Sequence, residues 1–254
     1  MRTTADITRV LEGCALGALN KRELILSAAR GKDVLDTGCV QHSWRMSIDN
    51  PGWLHAGVRN AARSCVGVDF LADDAAELNE RGYDIRVANV LRDEPPGQFD
   101  VVIAGDIIEH LEDPGVFLEY IAKALRPDGR AVITTPNAFY IAQWWTLLAR
   151  GKPAISPEHS VLFDPFTFAK LVERGPLELE ALHWLTPSWY AFWDSGRWRA
   201  NLIGRPLHAV SRLLLRHRPY LNSDFAAILR RREDAGERDV ASSARAVMQY
   251  LHPD

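Results

Sequence analysis

The sequence predicts an α/β fold with a doubly wound, mostly parallel sheet. Segment 99–137 carries the pattern: an apolar strand (Val101–Ala104), a helix that begins at Asp113-Pro114, and a β-branched strand (Val132–Thr135). Aspartate is a good N-cap, and proline suits the first helical position. Apolar residues that recur every fourth position give this helix one buried face. Polar residues follow both strands, and ligands bind at the carboxyl ends of strands in such sheets.

The rest of the chain continues this alternation of helices and strands. Hydrophobic periodicity and turn residues mark the boundaries. The further predicted helices are about Thr4–Leu19, Lys21–Arg30, Asn50–Ala62, Phe139–Ala149 and Pro165–Arg174, and the further strands are Asp33–Asp36, Cys65–Val68, Asp84–Ala88, Leu177–Trp184 and Asp224–Leu229. Together with the two strands of segment 99–137, this gives a sheet of seven strands.

Segment 99–137 resembles the class I S-adenosylmethionine (SAM) dependent methyltransferases, especially the small-molecule branch that includes the ubiquinone-biosynthesis O-methyltransferases. The shared residues read D-x-x-E-H-L-x-D-P-x-x-F-L after one strand, then L-x-P-x-G and T-x-P-N around the next. The resemblance covers roughly residues 30–175. It implies a Rossmann-like class I methyltransferase fold with an antiparallel last strand, SAM as cofactor and methyl transfer as the reaction.

Composition agrees with a globular enzyme. The chain has 254 residues, 47% of them hydrophobic and 25% charged, which suits one domain with an elaboration. Its three widely spaced cysteines indicate neither a disulfide framework nor a zinc site. A formal charge of −3 argues against nucleic acid as the main partner. No apolar run approaches the roughly 18 residues of a membrane span, and no signal segment is evident. We therefore expect a cytoplasmic protein without stable membrane insertion, compatible with a homo-oligomer.

We expect a single methyltransferase domain with four parts. A helical amino-terminal cap (1–30) would precede the SAM-binding core (31–184). An acceptor lid rich in tryptophan (185–222) would be inserted before the last strand and the carboxyl-terminal tail (223–254).

The turn after the first predicted strand departs from the family's D-x-G-x-G-x-G motif. Asp36, Gly38 and Cys39 match its start, but residues 40–43 read V-Q-H-S, so only the first glycine is kept. In the family these glycines let the backbone approach the methionine part of SAM. We therefore expect side chains to hold part of the cofactor here, and we interpret Gln41–Asn50 as an insertion.

The ends of the next strands supply the other predicted cofactor contacts. Asp69 closes a strand, where a carboxylate can accept hydrogen bonds from both ribose hydroxyls, although a plain turn residue is the alternative interpretation. Phe70 could lie against the adenine ring. The resemblance implies that Asn89-Val90 bind the adenine amino group and cover its face. The predicted cofactor residues are Asp36, Gly38, Cys39, Asp69, Phe70, Asn89, Val90, Gly105 and Asp106.

His110 and His159 are the predicted catalytic bases. A hydroxyl acceptor benefits from a general base or a metal ion because a neutral alcohol is a weak nucleophile. His110 follows a strand end and adjoins Glu109, although both could simply begin a solvent-facing helix. The resemblance implies that the segment Pro157–His159 folds over the pocket.

The same segment offers a metal site. Asp106, Glu109 and His110 form a D-x-x-E-H set, and in the quinone O-methyltransferases a similar E-x-x-E-H segment is linked to a divalent metal. Oxygen-rich coordination favours magnesium over zinc. Amino-group methylases of adenine or glutamine carry N/D-P-P-Y/F after this strand, whereas this chain has G-D-I-I at residues 105–108. Those acceptors are disfavoured.

Tryptophans indicate where the acceptor binds. Six of the eight lie between residues 144 and 198. Flat rings with polar edges suit sugars, aromatic rings or quinones, although half of these residues are expected only to pack in the core. We predict acceptor contacts from Trp144, Trp189 and Trp193 and favour a hydroxyl of a sugar or glycan. A quinone or phenol and a sugar amine stay open.

Two other classes of function stay in view. A nicotinamide-dependent oxidoreductase would also carry an acidic residue after its second strand, but it requires G-x-G-x-x-G where this chain has G-C-V-Q-H-S at residues 38–43. A SAM-fold protein that binds without catalysis would explain the missing glycines. Binding of SAM and of NADH separates the two.

Overall fold

The computed structural model of the protein describes residues 15–153, 155–185, 210, 213–215 and 217–234. Eight strands form one sheet in the order β1-β7-β8-β6-β5-β2-β3-β4. The strands are β1 Ala15–Leu19, β2 Asp33–Thr37, β3 Ser64–Asp69, β4 Ile85–Val87, β5 Phe99–Gly105, β6 Leu125–Pro136, β7 Leu177–Leu185 and β8 Asp224–Arg231. Only β8 is antiparallel to its neighbours, β6 and β7. The predicted fold class, including the antiparallel last strand, is confirmed, but the sheet has eight strands and not seven because residues 15–19 add one at its edge.

Helices cover both faces of this sheet. They are α1 Lys21–Ala29, α2 Trp44–Asp49, α3 Leu54–Ala61, α4 Ala72–Glu80, α5 Pro114–Ala124, α6 Ile141–Arg150 and α7 Pro165–Arg174. Alternate residues of β5 belong to different cores, as the period of two in a strand requires. Val101 and Ile103 pack with α1 and α3, while Val102 and Ala104 pack with α5 and α7. The central strand is therefore buried on both sides, and its end is held rigidly.

The predicted helix over residues 4–19 is wrong in its last part. Residues 15–19 form β1, which pairs in parallel with β7, with Ala15 opposite Leu182. The physical reason is tertiary: β7 offers an open edge of backbone groups, and the segment A-L-G-A-L contains a glycine that weakens its helix propensity. Residues 1–14 lie outside the described part of the chain. The amino-terminal cap is thus a strand followed by α1, at least from residue 15 onward.

Other boundaries shift more modestly. Strand β6 begins at Leu125 and not at Val132, because residues predicted only to end the helix pair with β5 across a register shift. The stretch 41–50 contains α2, and the helix expected from Asn50 begins at Leu54. In the described ranges no helix has both the length and the apolar character needed to cross a membrane.

Candidate active site

The carboxyl ends of β2 to β6 form one edge of the sheet, and most of the predicted site residues follow them. The strands run into Gly38, Phe70, Ala88, Asp106 and Asn137 respectively. This is the edge where ligands bind in open α/β sheets. The predicted site residues that follow these strands therefore lie along one edge of the sheet, and their function stays a prediction.

Gly38 is required by close approach. Its φ is +66°, and a Cβ built on it would stand 2.7 Å from Cδ1 of Ile107. Any larger residue would push the turn after β2 away from the turn after β5. The glycine thus brings the predicted cofactor loop against the residues that follow Asp106.

Side chains anchor the rest of this loop. The indole Nε1 of Trp53 donates to the carbonyl of Cys39 at 2.8 Å. The backbone N–H of Gln41 donates to Oγ of Ser47, in α2, at 2.9 Å. His42 adopts a φ of +52°, a left-handed conformation that is uncommon for residues other than glycine. The loop has therefore replaced flexible glycines by fixed side-chain contacts.

Asp69 is part of the same anchoring. Its side chain accepts hydrogen bonds from the backbone N–H groups of Val40, at 2.9 Å, and Leu71, at 3.2 Å. The residue is 5% exposed, and burial raises the pKa of its carboxyl. The carboxylate therefore closes the loop through several backbone donors, and its contact with a ribose stays a prediction.

The residues expected at the adenine differ in exposure. Phe70 is 73% exposed, so its ring is free to cover a base. Val90 is buried. The side-chain oxygen of Asn89 accepts from the N–H of Leu91 at 2.9 Å, which closes the turn after β4. This oxygen has a second lone pair, which is the one that could accept from the adenine amino group.

Asp36 and Cys39 are both buried beneath the loop after β2. Asp36 is 3% exposed, and its Oδ2 is 2.8 Å from Nδ1 of His55, on α3. Nε2 of His55 is buried without a hydrogen-bond partner. Burial raises the pKa of the Cys39 thiol well above its usual range, so this thiol is neutral. A cofactor role for Asp36 and Cys39 stays a prediction.

Asp106 is held in a strained conformation. Its φ is +53°, and one carboxylate oxygen accepts from Oγ1 of Thr134 at 2.8 Å. The other oxygen pairs with the ammonium of Lys21, the first residue of α1. Left-handed non-glycine residues of this kind cluster at functional sites.

Glu109 lies one short helical segment further on, and it is almost fully enclosed. Thr135 Oγ1 donates to its Oε2 at 3.0 Å, whereas Oε1 is buried with no partner. Burial, reinforced by the charge of Asp106, raises the pKa of the Glu109 carboxyl to about 7. Near neutral pH this carboxyl can therefore either hold or release a proton.

His110 and His159 meet directly. Their rings form an edge-to-face contact with centroids 4.8 Å apart. Nδ1 of His110 lies 3.1 Å from the carbonyl oxygen of Glu158. Nδ1 of His159 is buried and has no hydrogen-bond partner. Burial, then the neighbouring His110, lowers the pKa of His159, which favours its neutral form.

The segment that carries His159 docks on the segment that carries His110. The N–H groups of Ser160 and Val161 donate to the carbonyl of Glu109, at 2.8 and 3.1 Å. The hydroxyl of Ser160 donates to the carbonyl of His110 at 3.2 Å. The two predicted bases, 49 positions apart in the chain, are brought together by these backbone contacts.

A family described as a methyltransferase domain matches residues 16–182, well over half of the chain. The chain belongs to this methyltransferase family. Among curated relatives, a ubiquinone biosynthesis O-methyltransferase of a Caulobacter species is 31% identical over 181 residues, which cover 70% of this chain and 60% of the relative. A probable S-adenosylmethionine-dependent methyltransferase of Mycolicibacterium smegmatis is 28% identical, over 59% and 53% of the two chains. The methyltransferase thus spans little more than half the length of these relatives.

Solved structures support the fold. A SAM-dependent methyltransferase from Archaeoglobus fulgidus matches with a TM-score of 0.51 and 18% identity, over 82% of this chain and 94% of the other. An O-methyltransferase from a Brevibacillus brevis multienzyme, in complex with S-adenosyl-L-homocysteine, matches with a TM-score of 0.50 and 14% identity, over 90% and 77%. These matches show that the chain shares its Rossmann-like fold with SAM-dependent methyltransferases.

The metal ligands suggested by the described side chains differ from the predicted set. Glu109, His110 and His159 each offer a ligand atom within 4.8 Å of the other two. Asp106, predicted as the third ligand, is engaged by Lys21 and Thr134. One carboxylate and two imidazoles suit a transition metal better than magnesium, which prefers oxygen ligands.

The predicted acceptor tryptophans are only partly described. Trp144, on α6, is 48% exposed. Trp189 and Trp193 lie outside the described residues. Trp184 is near the carboxyl end of β7, and its ring is buried in the core against Phe225.

Three residues that contact the predicted site residues were not predicted from the sequence. Thr134 and Thr135, near the end of β6, hydrogen-bond to Asp106 and Glu109, the two acidic residues that follow the neighbouring strand β5. The T-x-P-N pattern contains them and could have indicated this role. Lys21 had no such signal, because its contact with Asp106 spans 85 positions and depends on where α1 packs.

Proposed function

We propose that this methyltransferase moves the methyl group of SAM to a hydroxyl oxygen of a small molecule, with His110 as the proton acceptor and His159 as its partner. In the reaction, an oxygen lone pair forms a bond to the methyl carbon while the carbon–sulfur bond breaks. The sulfonium becomes a neutral thioether. The hydroxyl proton must leave as the new bond forms, and an imidazole nitrogen accepts it.

The observation that carries this proposal is the hydrogen bond between His110 and the Glu158 carbonyl. A carbonyl oxygen can only accept, so Nδ1 of His110 carries a proton, and in the neutral imidazole the free lone pair is on Nε2. The ring is thus fixed in the tautomer that a general base needs. The lowered pKa of His159 favours its neutral form, so His110 has an uncharged imidazole as its neighbour.

Glu109 supports the same chemistry. Its unpartnered Oε1 and a carboxyl pKa of about 7 make it a second proton acceptor beside the imidazoles. A proton taken from the acceptor could be held between His110 and Glu109 until product leaves. The enclosed position of Glu109 keeps this proton away from solvent.

The acceptor class rests on weaker support. The relatives named as ubiquinone biosynthesis O-methyltransferases favour a ring hydroxyl. The sugar or glycan acceptor rests on the tryptophans around residues 184–198, most of which lie outside the described part of the chain. We therefore place phenolic and quinol hydroxyls first and sugar hydroxyls second.

The test is transfer of an isotope-labelled methyl group from SAM to a panel of catechols, simple phenols, monosaccharides and amino sugars. We expect labelled methyl ethers from the hydroxyl acceptors, together with S-adenosylhomocysteine. Transfer to amines alone would overturn the proposal, because an amine needs no base beyond loss of its own proton.

A metal-assisted version of this reaction is the second candidate. The unpartnered Oε1 of Glu109 and the close approach of His110 and His159 fit a divalent transition metal. Such an ion would polarise the acceptor oxygen as a Lewis acid. Turnover before and after chelation, and after addition of Mn²⁺, Zn²⁺ or Mg²⁺, separates the two versions. Full activity in chelator favours the imidazole base, whereas recovery with Mn²⁺ or Zn²⁺ but not Mg²⁺ favours the metal.

A further inference from the structure

We propose that this protein docks on a membrane surface that contains anionic lipids, through an apolar and basic rim beside the carboxyl end of β6. The rim consists of the described residues of 139–162, from the start of α6 to the segment that carries His159, and of 210–220. Docking of this kind takes place at the surface of the bilayer and needs no spanning helix. It is independent of the reaction proposed above.

Large hydrophobic residues on the protein surface are concentrated in this rim. Fifteen are exposed in the described part of the chain, and ten of them belong to the rim: Phe139, Trp144, Leu147, Leu148, Ile155, Leu162, Val210, Leu213, Leu214 and Tyr220. Single exposed apolar residues are ordinary on a protein surface. A concentration of them marks a surface that binds another apolar partner or phase.

Helix α6 shows that this exposure follows the helical period. Its buried residues are Ile141, Ala142 and Thr146. Trp144, Leu147 and Leu148 lie three and four positions apart, so they share the face that points away from the core. Leu148 is 76% exposed. A helix with one buried face and a second apolar face in solvent is suited to lie on a lipid surface.

Asn137 brings the parts of the rim together. Its Nδ2 donates to the carbonyl of Tyr220 at 2.8 Å, and its Oδ1 accepts from the N–H of Phe139 at 3.1 Å. Asn137 also forms a β-bridge with Phe163, which directly follows the first part of the rim. Both parts of the rim are therefore fixed to the residue that follows β6, and their exposed side chains lie around one end of the sheet.

Charge selects the kind of partner. Residues 139–156 contain Arg150 and Lys152 and no acidic residue, and residues 195–223 contain six arginines and no acidic residue. The whole chain, by contrast, has 33 acidic and 30 basic residues. Basic residues beside an apolar face are attracted to the negative surface of an anionic bilayer, and each of them strengthens binding.

A second copy of this chain fits the rim less well. Most homo-oligomers pair through a two-fold axis, so the same basic surface would face itself across the interface. Like charges that face each other oppose association, and charged residues are depleted in the cores of protein interfaces. An anionic lipid surface has the opposite charge and therefore matches the basic residues as well as the apolar ones.

The experiment is a flotation assay of the full chain with lipid vesicles, without SAM or acceptor. Vesicles made of equal parts of phosphatidylcholine and phosphatidylglycerol should bind the protein, and vesicles of phosphatidylcholine alone should bind it about 10-fold less or weaker still. Added salt should weaken binding to the anionic vesicles, because it screens the charges. Absence of binding to the anionic vesicles, or equal binding to both kinds, would overturn the proposal.

Two double variants separate the apolar and the basic contributions of α6 and the residues after it. Leu147→Asn with Leu148→Asn should lower the partition coefficient on anionic vesicles about 10-fold or more, since two apolar side chains no longer leave water. Arg150→Gln with Lys152→Gln should lower it about 10- to 30-fold at low salt and less at high salt.

Val116→Asn with Lys123→Gln is the matched control. It removes one exposed apolar and one exposed basic residue of α5, outside the rim, and should leave vesicle binding unchanged. Thermal unfolding midpoints show that all three double variants are folded. Equal losses of binding in the control and in the rim variants would overturn the proposal.

Two further measurements keep the alternatives apart. A dimer that light scattering detects, and that Leu147→Asn with Leu148→Asn dissociates, would assign the rim to a second copy if the anionic vesicles bind nothing. Methyl transfer to soluble acceptors, measured on the same preparations, tests the proposed function. Failure of methyl transfer therefore leaves membrane docking intact, and failure of vesicle binding leaves the proposed reaction intact.

Discussion

The two halves of the site satisfy their polar groups in different ways. On the cofactor side, side chains of the protein hold the backbone groups of Cys39, Val40 and Gln41, and the unpartnered Nε2 of His55 lies beneath the loop. On the reaction side, Oε1 of Glu109 and Nδ1 of His159 are buried without partners. Buried polar atoms without partners are costly, so they persist mainly where a ligand or a proton completes them. The comparison separates residues that shape the binding surface from residues kept available for chemistry.

The largest expected effect is on the reaction side. Replacement of His110 by alanine should lower kcat by about 10²- to 10⁴-fold, the usual contribution of a general base. The affinity for S-adenosylhomocysteine should stay the same, because His110 does not hold the cofactor loop. Single-turnover rates at saturating SAM and calorimetry on the same preparation measure both quantities.

His159→Ala is the matched variant for that measurement. If His110 is the base and His159 its partner, His159→Ala should reduce kcat less than His110→Ala, and the double variant should be little worse than His110→Ala alone. Full activity in both single variants would remove the base and leave positioning of the acceptor as the source of catalysis.

The pH dependence of protein stability tests the raised pKa of Glu109, on the reaction side of the site. Its carboxyl has a pKa of about 7 in the folded protein against an ordinary value of 4.5, so between these values the folded state binds the proton more tightly than the unfolded state. Stability from this group is therefore lost as the pH rises from 4.5 to 7, by roughly 3 kcal/mol. Glu109→Gln has no such loss. The free energy of unfolding can be measured with urea in the presence of a chelator. From pH 5.5 to pH 8, its value for Glu109→Gln should rise by about 2 kcal/mol relative to its value for the unaltered protein.

A constant difference between the two proteins over this pH range would contradict the prediction. It would mean that Glu109 is charged at both pH values and that a cation, or a hydrogen-bond donor, already completes its Oε1.

On the cofactor side, Asp69→Ala should weaken S-adenosylhomocysteine binding by about 10- to 100-fold, since bonds from ribose hydroxyls to the carboxylate are lost. The same change also frees the N–H of Val40. Asp74→Ala is the matched control, because Asp74 accepts from the backbone N–H of Trp44, at 2.7 Å, on the other side of the loop. Equal losses in the two variants would show that Asp69 acts only by holding the loop.

Much of the architecture could be predicted because it follows from local patterns. Helix α7 has the predicted bounds, since Asp164 and Pro165 fix its start and Gly175 follows its end. The strands that lead to Asp69 and Asp106 are short apolar runs that end in a polar residue, which the sequence displays directly. His110 and His159 were each predicted as candidate bases, and only the family resemblance placed the segment Pro157–His159 over the pocket; the contact between the two rings was not predicted.

What could not be predicted depends on distant contacts. Residues 15–19 become a strand only because β7 offers them an edge. Lys21 reaches Asp106 only because α1 packs beside β5. His55 meets Asp36 in the buried layer under the loop only because α3 packs against β2 and β3. Periodicity and spacing carry no information about such pairs.

The smallest expected effect concerns His42, which occupies the third glycine position of the family's motif with a φ of +52°. A left-handed conformation costs a non-glycine residue about 1 kcal/mol or somewhat more, and glycine partly loses this advantage through its freer unfolded state. His42→Gly should therefore raise the free energy of unfolding by about 0.5 kcal/mol. Ser43→Gly, at an extended residue whose hydroxyl caps α2, should lower it. If His42→Gly gains stability but loses affinity for S-adenosylhomocysteine, the strained histidine is a cofactor contact, and the loop has exchanged backbone flexibility for a side chain that binds. If His42→Gly loses stability as Ser43→Gly does, the imidazole holds the loop itself, and the contrast between the two halves of the site becomes sharper.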